Sequence, residues 1–337
     1  MAQIRLVKYE PALAERWDSF IDNSINGTLF HRQRFMSYHP VGKFADASLL
    51  FYEGNKLLSV FPAAIIKAAD GKKVLKSHPG TSYGGLVFEQ TLPLEDIFSI
   101  LESLHEYANQ EQVNQIEFRQ GPKIFNKVLV DQFDFALVHF NYERKEQELA
   151  TFFPLEQFTF NENFEEFLMQ FPQKNRNEIR KGIKEELVFK NLSGNAELAN
   201  FYEILCKSLE MRFQKKPTHT FEEFETILRL YPEQCFVAGI FKGDILTAGF
   251  FIMQLNERGW HIFYAPMNYE YQNLRPLNFG VAQLIHLAMK KGMKVLNYGI
   301  STEQGGKHIN WPLFKFKENF NGTGVIRTYW VKHLQEA

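Results

Sequence analysis

One order of elements runs through this chain twice, and that repetition limits the fold more than any other feature. In the first half, a strand over residues 3–9 leads into a helix, Ala12–Asn23, whose Leu13, Trp17, Phe20 and Ile21 share one face. A short helical segment in "GTLFHRQRFMSYHP" ends at Pro40. Strands Ala47–Tyr52 and Lys56–Ile66 meet at "EGN", a hairpin signal. A Gly-rich turn and strand, "KSHPGTSYGGLVF", then a helix, Leu94–Asn109, and the strand "NQIEFRQ" follow, with a helix at Ile124–Gln132 and a strand at Ala136–Phe140.

The second half opens with a helix through "NFEEFLMQFPQKNRNEIRKGIKEEL", bent at Pro172, and a strand, Val188–Leu192. Helices Ala196–Phe213 and Phe221–Leu230 follow, the latter capped by Thr220 with Glu223 at the third position. Strands Cys235–Phe241 and Ile245–Leu255 join at "KGD". Next come a strand (Trp260–Ala265), a helix opening near Asn278–Gly280, a strand (Lys294–Gly299), a helical turn (Leu313–Phe320) and a last strand, Val325–Val331. The hairpin at Gly54-Asn55 corresponds to that at Gly243-Asp244, a separation of 243 − 54 = 189, and Ile116-Glu117-Phe118 corresponds to Leu296-Asn297-Tyr298, a separation of 296 − 116 = 180. The reading is duplication of one α/β (α+β) unit, with domains over residues 1–155 and 156–337.

Composition agrees with two cores rather than one, since 337 residues are long for a single domain. With 45% hydrophobic and 23% charged residues the chain is not a disordered one, and a formal net charge of -1 gives no bulk pull toward DNA or an anionic membrane. The 34 phenylalanines read as packing. Cys206 and Cys235 make no disulfide framework and have no CxxC context. No N-terminal apolar region and no run approaching ~18 apolar residues is present, so the expected location is the cytoplasm. Gly80–Gly84 spells GxSxG, but in a Gly-rich turn that leads into a strand it makes no strand-to-helix nucleophile elbow; P-loop, GxGxxG and HExxH motifs are missing, and the scattered histidines suggest no metal site.

The element order resembles the GNAT acyltransferase fold, and two such units in tandem resemble the Fem-type transferases. The motifs are "KNRNEIRKGIKE" at residues 174–185, "MKVLNYGIS" with its aromatic-Gly pair, "WPLFKFKENFNG" with Lys317 at the family's lysine, and "PGTSYGGLVF" in the first half. The resemblance implies two GNAT-like domains, each a mixed, mostly antiparallel central sheet flanked by helices. It also implies transfer of an acetyl, longer acyl or aminoacyl group to an amine of a bacterial cell-envelope or polysaccharide precursor. The family strand often carries an acid where this chain has Asn297, and Asn321 replaces a glycine. No long charged heptad insertion is present, which argues against a tRNA-borne donor. The loop carrying Arg275, Asn278 and Gly280 only partly matches the pyrophosphate loop of CoA-using enzymes, so an acyl-CoA donor is permitted rather than indicated.

Acyl transfer to an amine needs a neutral nucleophile, a polarised carbonyl and a proton donor for the leaving group. A splayed strand pair would hold the donor by backbone hydrogen bonds, with the second copy's strands as its walls. Tyr264 and Tyr298 stand on those strands as candidate acids, and Glu303 just beyond them is the candidate base. His261 is the slot's histidine, but its alternation sets it opposite Tyr264. Arg275, Asn278 and Gly280 are the candidate donor-phosphate contacts. Arg176, Arg180 and Lys184 form a basic stripe that, with Lys317, suits a phosphorylated acceptor such as a nucleotide-sugar or lipid-linked saccharide. A non-catalytic binding module and a tRNA-dependent aminoacyltransferase are the rival readings.

Overall fold

The computed structural model describes residues 4–334. In the first copy, β1 (Ile4–Lys8) pairs antiparallel with β2 (Leu49–Glu53), after helix α1 (Ala14–Asn23), and β2 pairs with β3 (Lys56–Phe61). Pro62 cannot donate to a ladder, and there the expected single strand Lys56–Ile66 breaks in two. Its continuation, β4 (Ala63–Lys67), pairs with β5 (Lys73–Ser77) in another sheet. Helix α2 (Leu94–Gln110) then leads to β6 (Gln115–Arg119), parallel to β5.

Residues 124–140 fold differently from the expectation. A single 3-10 turn, Lys123–Phe125, replaces the helix expected at Ile124–Gln132, and helix α3 (Gln132–His139) replaces the strand expected at Ala136–Phe140. Ala136 and Leu137 are buried while Phe135 and Val138 are exposed, a helical spacing that the alternating phenylalanines mimic as a strand. The charged run that follows is itself a strand, β7 (Glu143–Pro154).

The second copy repeats the plan. The expected bent helix is broken rather than bent: it stops before Phe171, and α4 (Gln173–Lys184) restarts after an extended Pro172. Strand β8 (Val188–Leu192), helices α5 (Asn195–Phe213) and α6 (Phe221–Leu230), and strands β9 (Cys235–Lys242), β10 (Ile245–Asn256) and β11 (Gly259–Tyr264) follow, β8 to β11 pairing antiparallel in order. The capping box of Thr220 and Glu223 is formed. Helix α7 (Pro276–Lys290) leads to β12 (Val295–Ile300), parallel to β11, and α8 (Trp311–Glu318) precedes β13 (Thr323–His333).

The two hairpins agree in detail. Gly54 and Gly243 each take positive φ (56° and 58°), and each hairpin has a register shift just before its turn, at Phe51/Tyr52 and Ile240/Phe241. The closing strands are exchanged: the end of β7 pairs with β12, and β13 pairs with β6. The compact units are therefore Met1–Leu149 with Thr302–His308 and Val325–Ala337, and Ala150–Ser301 with Ile309–Gly324. This differs from one cut after residue 155. Each unit has its own core, the first around Phe51, Leu75, Leu101, Phe118 and Trp330, the second around Phe153, Phe171, Ile240, Phe250 and Leu296. Among the described residues no helix is long and apolar enough to cross a membrane.

Candidate functional site

In the second unit the parallel strands begin together and then part. Gly259, Trp260 and His261 of β11 pair with Val295, Leu296 and Asn297 of β12, and the ladder stops there. Beyond that point Ile262 and Tyr264 stay paired with β10, while Ile300 pairs with Ala150 of β7. The local sequence of β12 bends it away. Asn297 turns its side-chain oxygen onto the Gly299 N–H at 3.0 Å, and Gly299 takes φ +68°, a conformation that favours glycine. Tyr298 and Gly299 stand opposite the one residue Thr151, a bulge that re-aims the strand end. The Asn297 side chain thus holds the strand end in this bend.

Lys317 lies at that bend. Helix α8 is capped by Asn310, whose side chain accepts from the Leu313 N–H at 3.1 Å. The Lys317 side chain is buried, and its Nζ donates to the carbonyls of Gly299 and Ile300, each at 2.9 Å, and lies 5.1 Å from the Tyr298 ring centre. Among the described residues no carboxylate pairs with it. Burial pushes its pKa down from 10.5 to about 7, so the neutral amine is accessible near neutrality. The hydroxyls of Thr151 and Ser301 are buried here without a hydrogen-bond partner among the described residues.

The two tyrosines occupy different settings. The Tyr264 hydroxyl accepts from the His219 N–H at 3.3 Å and lies 3.1 Å from His219 Nδ1, and burial raises its pKa to about 12. Tyr298 is more deeply buried, its ring near Phe153 and Phe316, and its pKa is also raised by burial. His261 borders the gap, its Cε1 3.7 Å from where a Cβ on Gly299 would stand. His219 escaped the sequence reading although its neighbour Thr220 was legible as a cap. Thr151 and Ser301 carried no periodic or motif signal.

The remaining candidates are dispersed. Glu303 is exposed on the short strand Thr302–Glu303, which belongs to the first unit. Arg275 takes positive φ at the start of α7 and pairs with Glu178, and Asn278 donates to Asn175 at 3.3 Å. Gly280 is required by packing, since a Cβ there would stand 2.4 Å from the Phe250 ring. Arg176 donates to the Phe171 carbonyl at 2.6 Å, and Arg180 pairs with Glu165 at 3.1 Å. Much of the basic stripe is thereby engaged within its own unit.

No family model matches the chain, and no curated protein is detectably similar to it in sequence. Solved structures are similar over nearly the whole length. FemX superposes with a TM-score of 0.70 at 14% identity, covering 98% of this chain and 97% of that one. The L-PGS structure from Bacillus licheniformis gives 0.61 at 11% identity, over 98% and 94% of the two chains. A tandem GNAT protein from the clavulanic acid biosynthesis pathway gives 0.53 at 9%, over 99% of each. At these identities the likeness is one of fold: the chain has a fold similar to that of FemX and of the tandem GNAT protein.

Proposed function

We propose that the second unit is an N-acyltransferase, moving an acyl or aminoacyl group from an activated donor to an amine of a cell-envelope or polysaccharide precursor. The observation that carries this reading is the parted end of β11 and β12 with the buried Lys317 at its bend. Unpaired strand edges suit an extended donor, whose amide groups add to the sheet as a further strand would. The acceptor nitrogen attacks the donor carbonyl, a C–N bond forms, and the bond to sulfur or oxygen breaks. A neutral Lys317 uses both its hydrogens on the two carbonyls it holds. Its lone pair is then left to take the proton that the attacking amine gives up. Tyr264, held by His219, supplies a proton to the leaving atom, and its greater exposure supports it over Tyr298.

An acyl-CoA would set its phosphates at the start of α7, which has no side-chain cap, beside Arg275, and would supply the thioester. Arg176 and Arg180 are proposed as acceptor contacts, and Glu303, expected as the base but part of the first unit, has no role in the proposed reaction. The test is thermal stabilisation of the purified chain by acetyl-CoA, longer acyl-CoAs and nucleotide-sugars, followed by transfer assays with whichever binds. A donor that stabilises the wild type and is turned over supports the reading. Binding without turnover, unaffected by Lys317→Ala, favours a non-catalytic module, and salt-sensitive RNA binding instead favours the tRNA-dependent reading.

A further inference from the structure

The first unit has a cleft that the transfer chemistry does not use. It measures about 60 Å³ and lies among the segments Asn26–His31, Tyr83–Phe88 and Gln120–Asn126. Within the duplicated plan these are the connection after the first helix and the ends of the parallel pair β5 and β6. The second unit places His219, Tyr264 and Gly299 on the corresponding connections.

The deep end of the cleft is polar and uncharged. The Tyr83 side chain is buried, with a hydroxyl that has no hydrogen-bond partner among the described residues. The Thr28 hydroxyl is near enough to lower the Tyr83 pKa, but it makes its own hydrogen bond to His31 Nδ1 at 2.9 Å. The ring is fixed: Phe30 lies edge-on at 5.0 Å, and a Cβ on Gly121 would stand 2.6 Å from it. Burial raises the Tyr83 pKa and lowers that of His31 to about 4, so both are neutral at physiological pH. At the rim, Lys123 is held by both Asp131 and Asp134, and Arg327, the cation toward Tyr83, is held by Glu148.

Among the described residues that line the cleft, no surplus cation is therefore present to hold a phosphate or carboxylate. The walls add aromatic faces from Phe88, Phe125 and Phe133 and the amides of Gln120 and Asn126. Flat apolar faces, amides and an unsatisfied phenol are what a neutral ring bearing several hydroxyls requires: its C–H face packs on the aromatics while its hydroxyls bond the polar groups. The geometry points to a second binding site, in the first unit, for a neutral, hydroxyl-rich ring such as a single sugar residue, anchored by the Tyr83 hydroxyl. The assignment is independent of the transfer reading.

The test is ligand-observed NMR and calorimetry on the full chain with glucose, N-acetylglucosamine, glucosamine and inorganic phosphate. The expected result is binding of the neutral sugars, weakened about tenfold by Tyr83→Phe, in line with one lost hydrogen bond, and retained in Asp134→Asn. Tyr83→Phe should leave the unfolding midpoint unchanged or raised, because it removes a buried hydroxyl without a partner. If that midpoint falls instead, Asn126→Ala on the rim takes its place, with the same loss of sugar binding expected. Failure of both neutral sugars to bind, equal binding by the substituted protein, or binding confined to phosphate or to glucosamine would overturn the assignment.

Discussion

The two units begin their parallel strand pair alike and end it differently. In the first, β5 and β6 pair through Lys76 and Glu117, and then the chain closes its own gap. The Arg119 N–H donates to the Ser77 hydroxyl at 2.8 Å, the Gly84 N–H donates to the Arg119 carbonyl at 2.8 Å, and Gly84 bridges to Gln120. In the second, β11 and β12 part after His261 and Asn297, and Lys317 satisfies only the carbonyls of Gly299 and Ile300. The loop Ser77–Gly84 bonds to the end of β6 in one copy, whereas in the other the β11–β12 ladder stops at His261 and Asn297. The GNAT-like fold supplies a place where strands separate, and the loop after the first of them decides whether that place is open to an added strand or leaves only a smaller cleft beside it.

Acid should separate the units most strongly. His31, His78 and His105 are all in the first unit, and burial, the largest cause for each, holds their pKa down to about 4. An unfolded histidine titrates near 6.5, so between pH 6.5 and 4 the unfolded chain binds protons that the folded unit does not. Stability is whole above 6.5 and drains as pH falls toward 4, by a few kcal/mol for each ring at most. Hydrogen exchange at pH 7 and pH 4.5 should show first-unit peptides losing protection, and unchanged protection there would refute the three neutral rings. Lys317 places the second unit's response on the other side of neutrality. Its folded pKa of about 7 lies below the 10.5 of the free side chain, so stability rises with pH between those values.

Next in size is the loss of transfer in Lys317→Met, about a thousandfold, together with loss of that alkaline rise in stability. Lys317→Arg should not restore activity, because a guanidinium stays charged and cannot serve as an amine base. Paired measurements of kcat and of denaturant midpoint at pH 7 and 9.5 check both, and a Met variant that keeps kcat would remove the lysine from the chemistry.

Much of this was legible in the sequence. The duplicated hairpins at Gly54 and Gly243, the strands flanking the gap and the cap at Thr220 follow from local signals: turn glycines, alternation and a capping pair. The exchanged closing strands were not, because pairing partners hundreds of positions apart leave no local trace, and β7 begins in a charged run that resembles solvated loop. Lys317 was legible as a residue but not as a buried one, since its phenylalanine neighbours fit an exposed face equally well. The closure of the first gap was also hidden. "SYGG" resembles a plain turn, and only coordinates show Gly84 lying so near Ser77 that a Cβ would approach its Cβ to 3.1 Å.

That approach gives a prediction of moderate size. Gly84→Val should press on Ser77 and on the His78 backbone, which a Cβ would meet at 3.3 Å, and lower stability by ~1–3 kcal/mol while leaving transfer intact. A chemical denaturation curve beside a transfer assay checks this. Loss of transfer at full stability would mean that the first unit's closed gap takes part in the reaction, and the contrast between the units would fail.

With a thioester donor the smallest effect is expected at Tyr264, and its size discriminates between donors. The hydroxyl has a pKa near 12 and is held by His219, so at neutral pH it is an intact phenol able to give a proton. A thioester releases a thiolate, which leaves with little help because free thiols titrate near 8.5. An ester of a ribose releases an alkoxide, which needs a proton as the bond breaks. Tyr264→Phe should therefore slow transfer only about tenfold with a thioester donor but ~100-fold or more with an ester, the range found for positioned acids. Its effect on stability should be about 1 kcal/mol, one hydrogen bond. Measuring kcat with both donor types on the same variant checks the phenol's role. Equal losses would show that Tyr264 positions the strand end rather than protonating the leaving atom, because only a proton donor distinguishes the two leaving groups.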